Sequence, residues 1–502
     1  MDEKSGSMYA VRESRKERES TTLKRVITTR QFVLMALGSS IGAGFLVSTG
    51  QALAVGGPVP LLLAFMIVGL AVWITMCNLG ELATTIPVQG SFYEYSVRFI
   101  SPAWGFAMGW NYVMSFVFVV PFEIIVMVMS ARFWNPDIRV EILVPIFILG
   151  LAVIYICGAR WYAEAENLFG TLKMIVLTIF VFTALCILAR AVPSVDDSQL
   201  AYHTWRTDAF KNGPVGFLFV FMSVGVAYGG TEMLGLTAGE CRSPRRVMQL
   251  AGTLVSIRII FLYVLPMLML GLLLKIDLRH SDPTISPFVQ AIAQAKIRIL
   301  PDIINAIIVM SIFSMANAAI FAASRALQAI SARGMGPRFC AVVYRGRPVG
   351  ALIVVFAFSL LAFAKAGSNG DQIFTWLLAL ASCSNYLTWS SICLCQIRCR
   401  RALERRGGQV AGAYKSPLGT AGSVYAITIF IFGVIAQIVA AAKSPLPAPP
   451  PVAASFLGLA VVFGFWIGYM IWKRDCTLLI PLDDIQLEHK EEGRLPVAEV
   501  GV

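Results

Sequence analysis

Charge is scarce in this chain. Of its 502 residues only 14% are Asp, Glu, Lys or Arg, and three are histidine. A soluble protein carries nearer a quarter charged residues, so a soluble fold is excluded. The shortage of histidine removes the commonest general base and metal ligand. His203, His280 and His489 all lie outside the apolar segments, and no nucleophile constellation or metal motif stands in their place. An enzyme is therefore not expected, and neither is a metal or any other cofactor. Cysteine is missing where it would matter for cross-linking: none of the ten falls in a loop expected to face outside, so no disulfide framework is expected. The run CLCQIRC, with Cys393, Cys395 and Cys399, has no histidine nearby and resembles a metal cluster only superficially. An apolar leader is also lacking. The first thirty residues are polar, so no secretory signal is expected, and ESRKERES, charged on both signs, reads as a solvated, disordered tail.

What the chain has instead is apolar sequence: 57% of residues are hydrophobic and the mean hydropathy is +0.73. Crossing a bilayer core takes about 20 apolar residues in a helix. Such stretches recur at roughly 31–54, 59–79, 103–130, 141–158, 162–189, 215–238, 251–274, 303–325, 349–364, 373–396, 421–441 and 452–472. This predicts an all-α, multi-pass membrane protein of twelve transmembrane helices, with the lipid bilayer as its surroundings. An even number of spans puts both termini on one side. Assigning that side to the cytoplasm places most of the 41 Lys and Arg there, as the positive-inside rule requires. The net charge of +12 then reflects topology, and no nucleic acid partner is implied. The expected organisation is a cytoplasmic N-tail (1–30), a ten-helix core (31–396), a cytoplasmic loop (397–420), two further helices (421–472) and a cytoplasmic C-tail (473–502).

The first span carries LMALGSSIGAGFLVSTG. Each glycine inside a helix costs about 1 kcal/mol against alanine, yet three of them stand in the middle of a membrane-length segment. The sixth span has a counterpart, VAYGGTEMLGL. Glycine-interrupted spans at matching places in two five-helix units point to inverted repeats with discontinuous helices, spans 1–5 and 6–10 here. Close packing through small residues explains one cluster more readily than two clusters five spans apart. If both spans are broken, the outer half of the first opens at mid-membrane near Gly42, Ala43 and Gly44 with free amides, which suit a carboxylate. Carbonyls freed near Gly38 and Ser39, and near Ala227 and Tyr228, suit an ammonium group. Such a site fits a zwitterion. The expected substrate-binding residues are Ser39, Ser40, Ile41, Gly42, Ala43 and Gly44 in the first span, with Ala227, Tyr228, Gly229, Gly230 and Thr231 in the sixth.

Ionisable residues within spans are functional candidates by default. Lys173 lies about twelve residues into the fifth span, roughly 18 Å along a helix, too deep to reach the inner surface easily. A lysine so placed can exchange a proton in a working cycle, or it can be a permanent charge paired with a carboxylate. Glu123 follows Pro121 in the third span, beside backbone that the proline frees. Glu232 sits where it would cap the inner half of the sixth span. These three are the proton-coupling candidates. Arg258 and Arg325 fall near expected helix ends and read as structural.

Longer blocks carry a resemblance. LGSSIGAGFLVSTG, PVQGSFYEY, GFAMGWNYVMSF, AYGGTEMLGLTAGECRSPRRV, SIFSMANAAIFAASRALQAISARGMGPRF, CQIRCRRALERRG and YKSPLG stand in the order and spacing of a fungal amino acid permease. On them the chain, over about residues 20–475, is similar to the yeast amino acid transporter family of the amino acid–polyamine–organocation superfamily. The resemblance implies a LeuT-type 5+5 inverted repeat and proton-driven amino acid uptake, with amino acids and protons as partners and the plasma membrane as the setting. It implies that Gly42 and Gly44 meet the substrate carboxylate and that Tyr228, Gly230, Thr231 and Glu232 match the sixth-span block. It further implies that Lys173 stands where sodium-coupled relatives hold an ion, that Glu123 is the usual third-span carboxylate, and that Ser311, Ser314 and Asn317 form the polar face of the eighth span. The chain departs from the family in having Ser39-Ser40 for Gly-Thr, Ala43 for Thr and Tyr228 for Phe. These departures bear on substrate identity. A subunit linked by disulfide to a glycoprotein heavy chain would need a cysteine between the third and fourth spans, and ARFWNPDIRV has none. An amino acid-sensing receptor with little or no transport is the alternative from another class.

Overall fold

The computed structural model of the chain describes residues 28–38, 40–86, 92–191, 205, 208–239, 241, 244–274, 285–294, 299–344, 346–366, 370–406, 414–443 and 452–485. Most of the polar N-terminal tail, and Ser39 with it, lie outside these. Among the described residues the protein is helical throughout, apart from a single isolated bridge between Tyr344 and Arg347. Backbone groups in lipid must be satisfied within the chain, and helices achieve this locally.

The first third of the chain forms α1 (Thr29–Gly38), α2 (Ala43–Leu46), α3 (Ser48–Gly56), α4 (Pro58–Thr85), α5 (Phe92–Phe99), α6 (Pro102–Ala131), α7 (Val140–Cys157) and α8 (Ala159–Leu188). Then come α9 (Gly213–Ala227), α10 (Met233–Gly239), α11 (Pro244–Arg258), a π-helical turn (Ile259–Val264) and α12 (Leu265–Leu273). The remainder is α13 (Pro287–Gln294), α14 (Leu300–Ala332), α15 (Arg338–Ala341), α16 (Val349–Ser359), α17 (Gly370–Arg405), α18 (Gly419–Ala442) and α19 (Val452–Lys473). Nine helices among the described residues are long and apolar enough to cross a membrane, and a tenth span results if α1 to α3, bent by 57°, count as one. The expected spans 215–238 and 349–364 coincide with shorter apolar helices, Gly213–Ala227 and Val349–Ala364.

The helices differ in what they face. In α6 and α14 the apolar stretch is 89% and 72% buried inside the protein, against 22% in α7 and 28% in α19. The former two, with α17 at 78%, therefore lie at the centre of the bundle, and the latter two present apolar side chains outward. The start of α6 follows its sequence: Ser101 accepts the amide of Trp104 at 3.1 Å, and Pro102 stands at the first position, where its missing N–H costs nothing.

Helix α17 runs to Arg405, past the boundary at 396 that hydropathy alone gives. Its polar end is held by Glu81 of α4, which accepts Arg400 Nε at 2.7 Å and Nη2 at 2.8 Å, Gln396 Nε2 at 3.2 Å and the Ser416 amide at 2.8 Å. At the same end the segment after α19 folds back. The Ile480 amide donates to Ile100 O at 2.8 Å, Arg398 donates to both Phe99 O and Ile480 O, and Ile485 is fully buried.

Glycines fix the crossing of α1 and α8. A methyl group on Gly38 would stand 2.6 Å from Gly170 Cα, closer than packed carbons approach, so the two backbones meet through hydrogen alone. Gly38→Ala should destabilise the protein by about 1–3 kcal/mol, the usual cost of over-packing, seen as a lower melting temperature in detergent. An unchanged melting temperature would show that α1 and α8 separate without cost.

Candidate functional site

Both glycine-rich spans are broken. Helix α1 stops at Gly38, and the chain resumes its helix at Ala43 with Gly42 in an extended conformation (φ −139°, ψ −156°). Helix α9 stops at Ala227, and a turn through Tyr228, Gly229, Gly230, Thr231 and Glu232 leads into α10. Gly230 has φ +87°, a left-handed conformation that glycine enters without the Cβ penalty.

The two breaks face each other across a small cavity of about 10 Å³, room for roughly one water molecule. Ser40, Gly42 and Gly44 line it from the first break, and Val226, Gly229 and Gly230 from the second. Phe116, Val119 and Glu123 of α6, Met315 of α14, and Ala381 and Asn385 of α17 complete the wall. The glycines here also serve packing. A Cβ on Gly42 would lie 2.5 Å from Met315 Cγ, and one on Gly44 would lie 2.7 Å from Val226 Cγ1 and 3.0 Å from the Val226 carbonyl carbon. Close approach to neighbours and access to the cavity thus belong to the same atoms.

Four charged or acidic groups surround the breaks. Lys173 Nζ donates to Gly38 O at 3.0 Å, and its electrostatic neighbours are Glu166 and Glu123. Glu123 Oε2 accepts the Ala43 amide at 3.0 Å, so the first amide of α2 is held by a side chain of the protein itself. Glu232 Oε2 accepts Trp389 Nε1 at 2.8 Å. Arg258 Nη1 donates to Ala36 O at 2.9 Å and Nη2 to Thr231 Oγ1 at 2.6 Å. All four are buried, with Lys173, Glu232 and Arg258 at 0% exposure.

The sequence-derived residues fall into three groups. Ser40, Gly42, Gly44, Gly229, Gly230 and Glu123 line the cavity. Ile41, Ala43, Ala227 and Thr231 are buried in the breaks without lining it. Tyr228 turns away: its hydroxyl donates to Phe65 O at 2.9 Å, and its ring stacks on Tyr263 with centroids 4.7 Å apart. Tyr263 in turn meets Ser40 Oγ at 3.2 Å. The polar residues of α14 also divide. Ser314 Oγ and Asn317 Nδ2 donate to Glu166 at 3.0 Å and 2.8 Å, while Ser311 bonds the Ile307 carbonyl of its own helix at 2.7 Å. Ser39 lies outside the described residues.

Sequence reasoning missed Glu166 and Asn385. Glu166 stands two helical turns before Lys173 on the same face, a spacing that could have flagged it. Arg258 needs a correction: it is not near a helix end but midway along the apolar stretch Arg246–Leu273, where α11 passes without interruption into the π turn. Among the described residues no group of three or more His, Cys, Asp or Glu is placed to hold a metal ion.

Two helices broken at facing points around a small cavity, in a bundle of membrane-length helices, are the architecture of a transporter. The Amino acid permease family model matches residues 31–480, and the chain belongs to that family. Among its relatives are an uncharacterised amino-acid permease of Schizosaccharomyces pombe, 36% identical over 467 residues (91% of this chain, 80% of the relative), and the general amino-acid permease GAP2 of Candida albicans, 33% identical (93% of this chain, 82% of the relative). Cationic amino acid transporter 1 of Schizosaccharomyces pombe is 33% identical, covering 91% of this chain and 80% of the relative. A solved structure of a Na+-coupled sialic acid symporter, substrate-bound and outward-open, superposes with a TM-score of 0.51 at 13% identity, covering 85% of this chain and 91% of that one. It shares the fold alone.

Arg258 ties the first break to the second, because one guanidinium reaches both α1 and the Tyr228–Glu232 turn. Arg258→Met removes both bonds, taking a charged donor from Ala36 O and from Thr231 Oγ1, which keeps only its own bond to Tyr228 O, at about 1–3 kcal/mol for each bond lost. Faster amide hydrogen exchange in residues 36–42 and 228–234 is the expected result, with little change in α18 and α19. Uniform exchange rates would show that the two breaks hold their shape without it.

Proposed function

We propose that the protein is a secondary active transporter that imports amino acids by proton symport across the plasma membrane. Counting the bent first span and the two shorter apolar helices with the nine long ones gives twelve spans. In this reading spans 1–5 and 6–10 form a LeuT-type inverted repeat over 31–396, followed by the loop 397–420, two further helices over 421–472 and the C-tail 473–502, with both termini cytoplasmic. The observation that carries the proposal is the contact of Lys173 with Gly38 O at the first break, with Glu123 reaching from the other side to Ala43. A titratable ammonium on the carbonyl end of one half-helix and a titratable carboxylate on the amide end of the other couple the proton to the conformation of the unwound segment.

The cavity is too small for an amino acid as it stands, so loading requires the breaks to move apart. The carbonyl end at Gly38 is occupied by Lys173 and the first amide of α2 by Glu123. A zwitterion entering between Gly42, Gly44 and Gly230 would compete with these internal partners for the same backbone groups. That competition is how binding and protonation come to depend on each other. No observation favours a receptor that binds amino acids without moving them.

Concentrative uptake in permease-deficient yeast should be abolished by a protonophore and be indifferent to sodium. Lys173→Ala should remove proton-driven accumulation while leaving the protein at the cell surface. Accumulation that survives the protonophore but needs external sodium, or that is unaffected by Lys173→Ala, would overturn the coupling. Gly44→Ala tests the site itself. Its Cβ presses on Val226, so apparent KM should rise for every amino acid by roughly five- to a hundredfold, from an over-packing cost of about 1–3 kcal/mol at 1.4 kcal/mol per tenfold. Unchanged KM across substrates of different size would leave the glycine a packing residue only.

A further inference from the structure

The wall of the cavity is uneven. Around Gly42 it carries Glu123, which is engaged with Ala43. On the side of α9 and α17 it is formed by Phe116, Val119, Val226, Ala381 and one polar group, Asn385. Asn385 is 6% exposed, and its Nδ2 donates to Gly225 O at 3.0 Å. A carbonyl oxygen can only accept, so the amide nitrogen must face Gly225 and the orientation of the side chain is fixed. That leaves Oδ1 as the atom turned elsewhere, and among the described residues no hydrogen bond reaches it. An acceptor closed off without a partner when a ligand fills the cavity is costly, and here it borders a wall whose other polar side chains, Ser40 and Glu123, stand at the first break and on α6.

We propose that Asn385 Oδ1 is the specificity-determining acceptor of the site and selects amino acids whose side chains carry an uncharged hydrogen-bond donor, an amide or a hydroxyl. This rests on the transport reading above. The chemistry of the wall decides between substrate classes. The carboxylate on the cavity wall, Glu123, is engaged with Ala43, so a cationic side chain at this end would be desolvated without a free counter-charge. An acidic one would set its oxygens against Oδ1. A wholly apolar one would fit the carbon wall but leave Oδ1 unsatisfied, and a site with an unsatisfied polar group rejects the analogue that cannot pair with it. An amide or hydroxyl meets both demands.

Near-isosteric pairs separate the hydrogen bond from volume: asparagine against leucine, and threonine against valine. Binding of each to purified protein, read as a ligand-induced shift in melting temperature, should be stronger for the polar member of each pair. Uptake should show the same order in kcat/KM. In Asn385→Leu the polar-to-apolar ratio should fall about tenfold, the size of one net hydrogen bond. Asn385→Ala, which also removes the acceptor, carries the same test if the leucine variant fails to reach the surface. A ratio that stays at the wild-type value in both binding and uptake overturns the assignment. Binding that keeps the Asn385-dependent preference while no amino acid is moved would sustain it and overturn transport instead.

Discussion

The carbonyl end of α1 is the point on which the site depends. A helix cut short inside a membrane exposes its last carbonyls where no water can reach them, and each unpaired group costs free energy. Two buried cations meet that demand. Arg258 caps Ala36 O and Lys173 caps Gly38 O, each also favoured by the negative end of the helix dipole. The cations need compensation in turn. Glu166 and Glu123 are the electrostatic neighbours of Lys173, and Glu232 is among those of Arg258. The break, the cations and the acids therefore stand or fall together. Removing Arg258 or Lys173 takes a charged donor from Ala36 O or Gly38 O, and removing an acid takes part of the compensation from its cation.

The same arrangement explains why polar residues sit on helices that otherwise read as apolar. Ser314 and Asn317 hold both oxygens of Glu166, fixing the carboxylate at the height of Lys173. Trp389 holds one oxygen of Glu232, while the other, like Arg258 Nε, has no partner among the described residues. The two halves of the site thus differ. On the Lys173 side both oxygens of Glu166 are held and, among the described residues, Asn317 Oδ1 is left without a partner; on the Arg258 side the unused capacity lies on Glu232 and Arg258 themselves, close to the second break.

Much of the architecture was legible in the sequence because the signals were local. Runs of apolar residues marked the helices, and glycines marked both breaks. A lone lysine in an apolar span marked itself. What was not legible depended on partners remote in the chain. Arg258 meets Ala36 across 222 positions, and Asn385 meets Gly225 across 160, and neither residue carries a local pattern that names its partner. Hydropathy also misplaced Arg258, because a charged residue lowers the local average and looks like the edge of a span. Tyr228 shows the same limit: its place beside the glycines is local, whereas the contacts of its ring with Phe65 and Tyr263, away from the cavity wall, are not. The polar turn of α17 beyond residue 396 is held against α4 by Glu81, more than 300 positions away, which no local pattern names.

The contrast between α6 and α7 has a consequence for how the chain can drift over generations. On α7 the side chains of Leu149 and Ile156 are 65% and 68% exposed, and lipid accepts any apolar shape, so exchange among Leu, Ile, Val and Phe is close to neutral while a single charge is not. On α6 nearly every side chain is enclosed, and one methylene more or less is felt as strain or cavity. One helix is thus screened for polarity and the other for volume. A substitution table compiled from one of them would mislead if applied to the other, though the two are indistinguishable by hydropathy.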